Sequence, residues 1–182
     1  GANGCSDDSD TRQITWGTQP VADAGSDIST CTATSPILMT GASASGTYSG
    51  NPVWSGGAGL GTWSQHTDPI LATFTPSTPS GAFIATLTLT GANGCSDATD
   101  TRVVTWYDPP AANAGSDIST CTGTAVITMT GATASGNYSG TPAWSGGGGL
   151  GTWTQNADPA LAAFTPSTPS GSFTATLTLT GA

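Results

Sequence analysis

The chain contains no lysine and no glutamate, and its only basic side chains are Arg12, Arg102 and His66. Two arginines cannot form a basic patch. With a net charge of −9 at pH 7, the chain is a poor partner for nucleic acid or an anionic membrane surface. The absence of lysine and glutamate also removes two of the good helix formers. No run of 18 apolar residues occurs, so nothing here is expected to insert in a bilayer. No signal peptide opens the sequence, which starts in the middle of a repeated pattern. The single histidine leaves little for acid–base chemistry. All 11 acidic residues are aspartates spread through turns and joints, where such side chains usually cap backbone N–H groups. No paired carboxylates flank a recognisable cleft, and a non-enzymatic chain is expected.

What is present is glycine (26 residues), proline (12), serine, threonine and 36% hydrophobic residues, including six tryptophans. That mixture describes short strands joined by turns, with enough apolar mass to build cores. The fold class expected is all-β.

The sequence then repeats. GANGCSD begins at Gly1 and again at Gly91, and aligning 1–90 on 91–180 without a gap gives 65 identical positions in 90. A period of that length marks modules in tandem, each the size of an immunoglobulin-like sandwich of about seven strands. The proline-bearing joints GTQPVADAG (17–25) and YDPPAANAG (107–115) read as the module boundaries. On that reading residues 19–108 are one complete module. Residues 1–18 are the final strand of a preceding module, and 109–182 are a module lacking its final strand. Such a module exposes an unpaired edge, so the sequence reads as a window from a longer array or as a subunit completed by its neighbours.

Strands are predicted at about 20–24 with 27–31, then 36–41, 51–55, 60–64, 70–75, 82–90 and 99–106. In AFIATLTLT (82–90) one face carries Phe83, Ala85, Leu87 and Leu89, the period-two pattern of a half-buried strand. The second copy separates the faces. Ile84 becomes Thr174 while Phe83 stays Phe173, Val103 matches Gln13 while Val104 matches Ile14, and Leu38 becomes Thr128 between the retained Ile37 and Met39. The predicted core is Ile37, Met39, Trp54, Trp63, Phe74, Phe83, Leu87, Leu89 and Val104. Between two of these lies VWSGGAGLGTWSQ (53–65), a glycine-rich stretch with the look of a phosphate loop. No helix pattern follows it and no lysine exists to hold a phosphate, so it reads as a turn between two strands that each end in tryptophan.

The order AGSDISTC, LTG, WSGG-G-GTW, ATFTPS, ATLTLTGANGCSD, TRVVTW resembles the tandem PKD-like or immunoglobulin-like modules of giant Bacteroidetes cell-surface proteins, of the gliding-motility adhesin type. The resemblance runs over the whole chain, twice. It implies extracellular display at a cell surface, a stalk or adhesin role, and no catalysis.

Four cysteines without a CxxC fit disulfides in an oxidising compartment. A Cys31–Cys95 bond within the complete module, closing about 65 residues and worth roughly 4 kcal/mol, is the preferred arrangement; bonds that staple successive modules are the alternative. In either case Cys5 and Cys121 pair outside the window. No cofactor is expected. Calcium is the one metal to weigh, with Asp23 and Asp27 at one joint and Asp117 at the other as its candidate ligands, although Asp23 is replaced by Asn113. Tyr48 and Tyr138, in the SGTYSG and SGNYSG turns, are candidate surface contacts, for instance with glycans. The expected partners are therefore neighbouring identical or homologous modules and surface glycans. Three roles follow: a rod-like structural stalk, a glycan-binding module, or a filament subunit whose residues 1–18 complete the next chain by strand complementation.

Overall fold

In the computed structural model, which describes residues 3–121 and 123–182, every regular element is a β-strand. The chain divides into two compact units: Gly1–Ser29, Ser35–Thr78 and Ala82–Thr105 form one, and Thr30–Thr34, Pro79–Gly81 and Trp106–Ala182 the other.

The first sandwich runs β1 (Val21–Asp23), β2 (Ile28–Thr30), β3 (Ile37–Leu38), β4 (Ser43–Ser45), β5 (Tyr48–Ser55), β6 (Gly61–Ser64), β7 (Thr73–Pro76), β8 (Gly81–Gly91) and β9 (Ala98–Trp106). One sheet has the order β2-β9-β8-β5, a second has β3-β7-β6, and β1 pairs with β4. The opening segment is thus shared between the sheets: β1 joins the β3–β4 side and β2 joins β9. That is an immunoglobulin-like strand order. Two boundaries differ from expectation. The short strand β4 carries no apolar alternation to announce it. Residues 70–72 form a turn, because the Asp68 carboxylate accepts the N–H groups of Ile70 (2.8 Å) and Leu71 (2.9 Å).

The predicted faces hold along the strands. Ile37, Met39, Trp54, Phe74, Leu87, Leu89 and Val104 are buried, while Ile84, Val103 and Leu38 face solvent. Trp63 and Phe83 are half-buried. Trp63 lies on β6, an outer strand of its sheet, and turns its indole N–H to the Gly56 carbonyl at 3.0 Å.

SGGAGLG carries the chain from β5 in one sheet to β6 in the other. Trp54 and Trp63, on either side of it, stack across the interior with ring centroids 6.0 Å apart. Trp63 meets Phe74 edge-on at 5.3 Å, and Phe74 meets Phe83 at 4.4 Å. Gly57 lies against this cluster at φ +68, and a Cβ there would sit 2.9 Å from the Phe74 ring. The loop is therefore glycine-rich for two reasons, left-handed backbone and close approach to aromatic rings.

The second sandwich repeats the plan in part. Its strands are β10 (Ala111–Asn113), β11 (Ile127–Thr128), β12 (Thr133–Ser135), β13 (Tyr138–Ser145), β14 (Gly151–Thr154), β15 (Ala163–Pro166) and β16 (Thr176–Gly181). The sheets are β11-β15-β14, β13-β16 and β10-β12. Its aromatic cluster reproduces the first: Trp144–Trp153 at 5.8 Å, Trp153–Phe164 at 5.3 Å and Phe164–Phe173 at 4.4 Å.

Gly57→Ala and Gly59→Ala test the loop. Both positions have positive φ, but a Cβ at Gly59 meets nothing within 4 Å. Gly59→Ala is expected to cost about 1–2 kcal/mol of backbone strain. Gly57→Ala is expected to cost about 1–3 kcal/mol more for the ring overlap. Urea unfolding followed by tryptophan fluorescence reads both.

Candidate functional site: the β9 latch and its open counterpart

Strand β9 lies between β2 and β8, so the last strand of the sandwich in sequence is an interior strand of its sheet. Its inward side chains are Arg102, Val104 and Trp106, all buried. Arg102 is only 4% exposed. Its guanidinium donates to the Thr40 carbonyl at 2.8 Å and to the Ser26 carbonyl. Burial pushes the guanidinium pKa down, and the Asp27 and Asp23 carboxylates push it back up. The two aspartates also hold backbone: Asp27 Oδ1 accepts the Val103 N–H at 2.8 Å and Asp23 Oδ1 the Gly25 N–H at 2.8 Å. Asp100, on β9 itself, accepts the Ala24 N–H at 2.7 Å. Residues 23–27 and β9 are thereby latched by reciprocal bonds, with one positive charge sealed among carbonyls and carboxylates. At the far end of the strand Trp106 rests on Gly81, where a Cβ would come within 2.5 Å of the indole.

In the second sandwich the corresponding position is an open groove. A cavity of about 480 Å³ is lined by Ser116, Asp117, Ile118, Met129, Phe173 and neighbouring residues. A second cavity, of about 280 Å³, reaches from Cys121 to Gly171. The effects on the flanking chain are specific. Residues 118–120 form no strand, whereas Ile28–Thr30 do. β16 begins at Thr176, opposite Ser145, whereas β8 begins five residues earlier than its own counterpart pair, Ser55–Thr86. Those five residues have β9 beside them in the first sandwich, and 171–175 have no such neighbour. Ala24 is fully buried but Ala114 is exposed, and Leu89 is fully buried but Leu179 only half so.

The expected site residues fall as follows. The charges of Asp27 and Asp23 act on Arg102, and Asp117 stands on the wall of the open groove. Among the described residues no group of three or more His, Cys, Asp or Glu side chains is placed to hold a metal ion. Tyr48 and Tyr138 begin β5 and β13, half-buried, paired with Gly91 and Gly181. All four thiols are free. The preferred Cys31–Cys95 bond is not formed in this structure. Cys31 lies where β9 ends, since the Tyr107 N–H donates to Thr30 and the Ala33 N–H to Tyr107, both at 3.0 Å. Cys95 lies before β9 begins, its Sγ 3.5 Å from the Thr18 carbonyl. The nine residues of β9 run between these two places. Arg102 was not anticipated as a buried group. Its signal was available: the only two arginines occupy the same place in the repeat.

Strand order and repetition define the class, tandem immunoglobulin-like β-sandwich modules. No protein-family model and no curated protein matches the chain. Among solved structures it is similar to Sidekick-1 immunoglobulin domains 1–4, with 12% identity and a TM-score of 0.43, covering 91% of this chain and 49% of that one. It is also similar to a chimeric titin Z1Z2 functionalised with a KLER exogenous peptide from decorin, with 13% identity, a TM-score of 0.36, and coverage of 90% and 91%. The chain thus spans about half the length of the Sidekick-1 structure.

The latch gives a pH prediction. The N–H groups of Ala24 and Thr101 hold the Asp100 pKa below its ordinary value of 3.8, against an opposing effect of burial. The stabilisation this ionised carboxylate adds is complete above pH 3.8 and is lost as the pH falls through the lower folded-state value. Asp100→Asn is expected to lower stability at neutral pH and to flatten the acid limb of a stability–pH curve measured by chemical unfolding.

Proposed function

We propose that this chain is a structural repeat region of an extracellular surface adhesin or filament, in which sandwich modules joined by short proline-bearing segments form a rod-like stalk. Residues 19–108 are one whole module of the array, 109–182 are a module awaiting its last strand, and 1–18 are the last strand of a preceding one. The role is spacing and display, without catalysis, at the surface of a cell of the kind that carries giant Bacteroidetes gliding-motility adhesins. One observation carries this reading: the same sandwich, with the same aromatic cluster to within a few tenths of an ångström, occurs twice in one chain. What is repeated here is the framework. The half-buried placement of Tyr48 and Tyr138 also leaves little aromatic surface for stacking a sugar.

Antibody labelling of intact producing cells tests the location. Label on unpermeabilised cells is expected; label only after permeabilisation overturns it. Saturable binding on a glycan array by the 182-residue chain would replace the structural role with an adhesive one. Calcium is expected to contribute nothing to the rod, so a chelator should leave the thermal melt of the chain unchanged. A fall of several degrees on chelation would place an ion at Asp23, Asp27 or Asp117.

A further inference from the structure

The latch between residues 23–27 and β9 lies where the backbone ladder is interrupted. β1 pairs with β4 and β2 with β9, so the chain changes sheets at residues 24–27, which form no strand. Side chains span that gap. The Ala24 N–H donates to Asp100 Oδ2 at 2.7 Å, Arg102 donates to the Ser26 carbonyl, and the Val103 N–H donates to Asp27 Oδ1 at 2.8 Å. Each of these rungs joins residues 76 apart in sequence. A constant separation means that the two segments run parallel; in an antiparallel pair it would shrink along the strands. A backbone rung continues the series, where the Tyr107 N–H donates to the Thr30 carbonyl at 3.0 Å.

Parallel pairing fixes how a pull on the chain reaches these bonds. The chain enters the pair at Ala24 and leaves it at Tyr107, and in parallel strands those are opposite ends. Tension along the chain therefore drags residues 24–30 one way and β9 the other, along their common length. The rungs lie across that direction and resist together, whereas an antiparallel hairpin pulled from its open end loses one rung at a time. We propose that the Asp100–Arg102–Asp27 latch is the force-bearing element of the sandwich, the contact whose rupture sets how long the module survives under tension. This inference rests on the reading of the chain as a stalk and adds the residues that let such a stalk withstand pulling.

Arg102 extends the latch to a third segment. Its guanidinium also donates to the Thr40 carbonyl at 2.8 Å, between β3 and β4, so one side chain ties β9 both to the segment that would slide and to the opposite side of the sandwich. Its bonds are charge-assisted, the stronger kind. They are also buried, so water has no ready access to replace them as sliding begins. Asp27 is exposed, and its rung can be removed without opening the core. Asp68 offers the matching control. Its carboxylate likewise accepts backbone N–H groups, those of Ile70 and Leu71, but in a turn that takes no part in the parallel pair.

The test is unfolding at constant force of the 182-residue chain, held by a handle at each end. Loss of the first sandwich releases residues 21–107, about 300 Å of extended chain, a longer step than the roughly 240 Å of 111–181. Asp27→Ala is expected to shorten the lifetime before the longer step about tenfold, the effect of losing one bond to a charged group. Arg102→Met, which leaves the Thr40 and Ser26 carbonyls unpaired, is expected to shorten it at least as much. Asp68→Ala is expected to leave it within about twofold, because its turn is still intact when the latch parts. Urea unfolding should register a loss of stability in both aspartate variants. An unchanged lifetime in Asp27→Ala, or in Arg102→Met where that variant folds, overturns the proposal. Equal shortening by Asp68→Ala overturns it too, since lifetime would then follow overall stability and not the latch. Pulling experiments are blind to cellular location, so the latch and the cell-surface reading fail separately.

Discussion

A sheet cannot close over a missing interior strand. That constraint governs this molecule, because β9 comes last in the sandwich yet lies between β2 and β8. Loss of an outer strand would leave the rest of a sheet paired. Among the described residues of the second sandwich no strand stands in the place of β9: 118–120 form no strand, and β16, paired with β13, starts five residues late relative to β8. The two near-identical stretches can thus be compared with and without this strand among the described residues.

The comparison separates two kinds of cohesion. The Trp–Trp–Phe–Phe cluster has nearly the same ring distances in both sandwiches, so it is assembled by β5 to β8 and their counterparts without help from the closing strand. The opposite half of the interior depends on that strand: Ala24, Ala85 and Leu89 are sealed, whereas Ala114, Ala175 and Leu179 are not. Hydrophobic burial sets the first half. The second half joins burial to a charge whose desolvation is acceptable only because carbonyls and carboxylates surround it.

Much of the fold was legible because the repeat acts as a two-member comparison. Ile84 against Thr174 and Val103 against Gln13 assign faces that one copy alone leaves open. The glycines between the tryptophans were legible as a turn, though not as a crossing between sheets. Other features were hidden for identifiable reasons. Strand β4 is Ser-Ala-Ser, with no apolar period. Asp68 converts a strand-like run, PILATF, into a capped turn. Arg102 defeats the rule that charge lies outside, since its burial depends on partners at Thr40 and Ser26, far away in sequence. Cysteine spacing says nothing of which end of a strand each thiol occupies.

The lysine-free composition has a consequence for handling the protein. Trypsin cuts only after lysine or arginine, and the sole arginines of the sequence are Arg12 and Arg102. Arg102 is shut inside the sheet, whereas Arg12 stands on irregular, solvated backbone. Digestion is thus expected first at the Arg12–Gln13 bond, and cleavage after Arg102 becomes a gauge of the opening of the first sandwich.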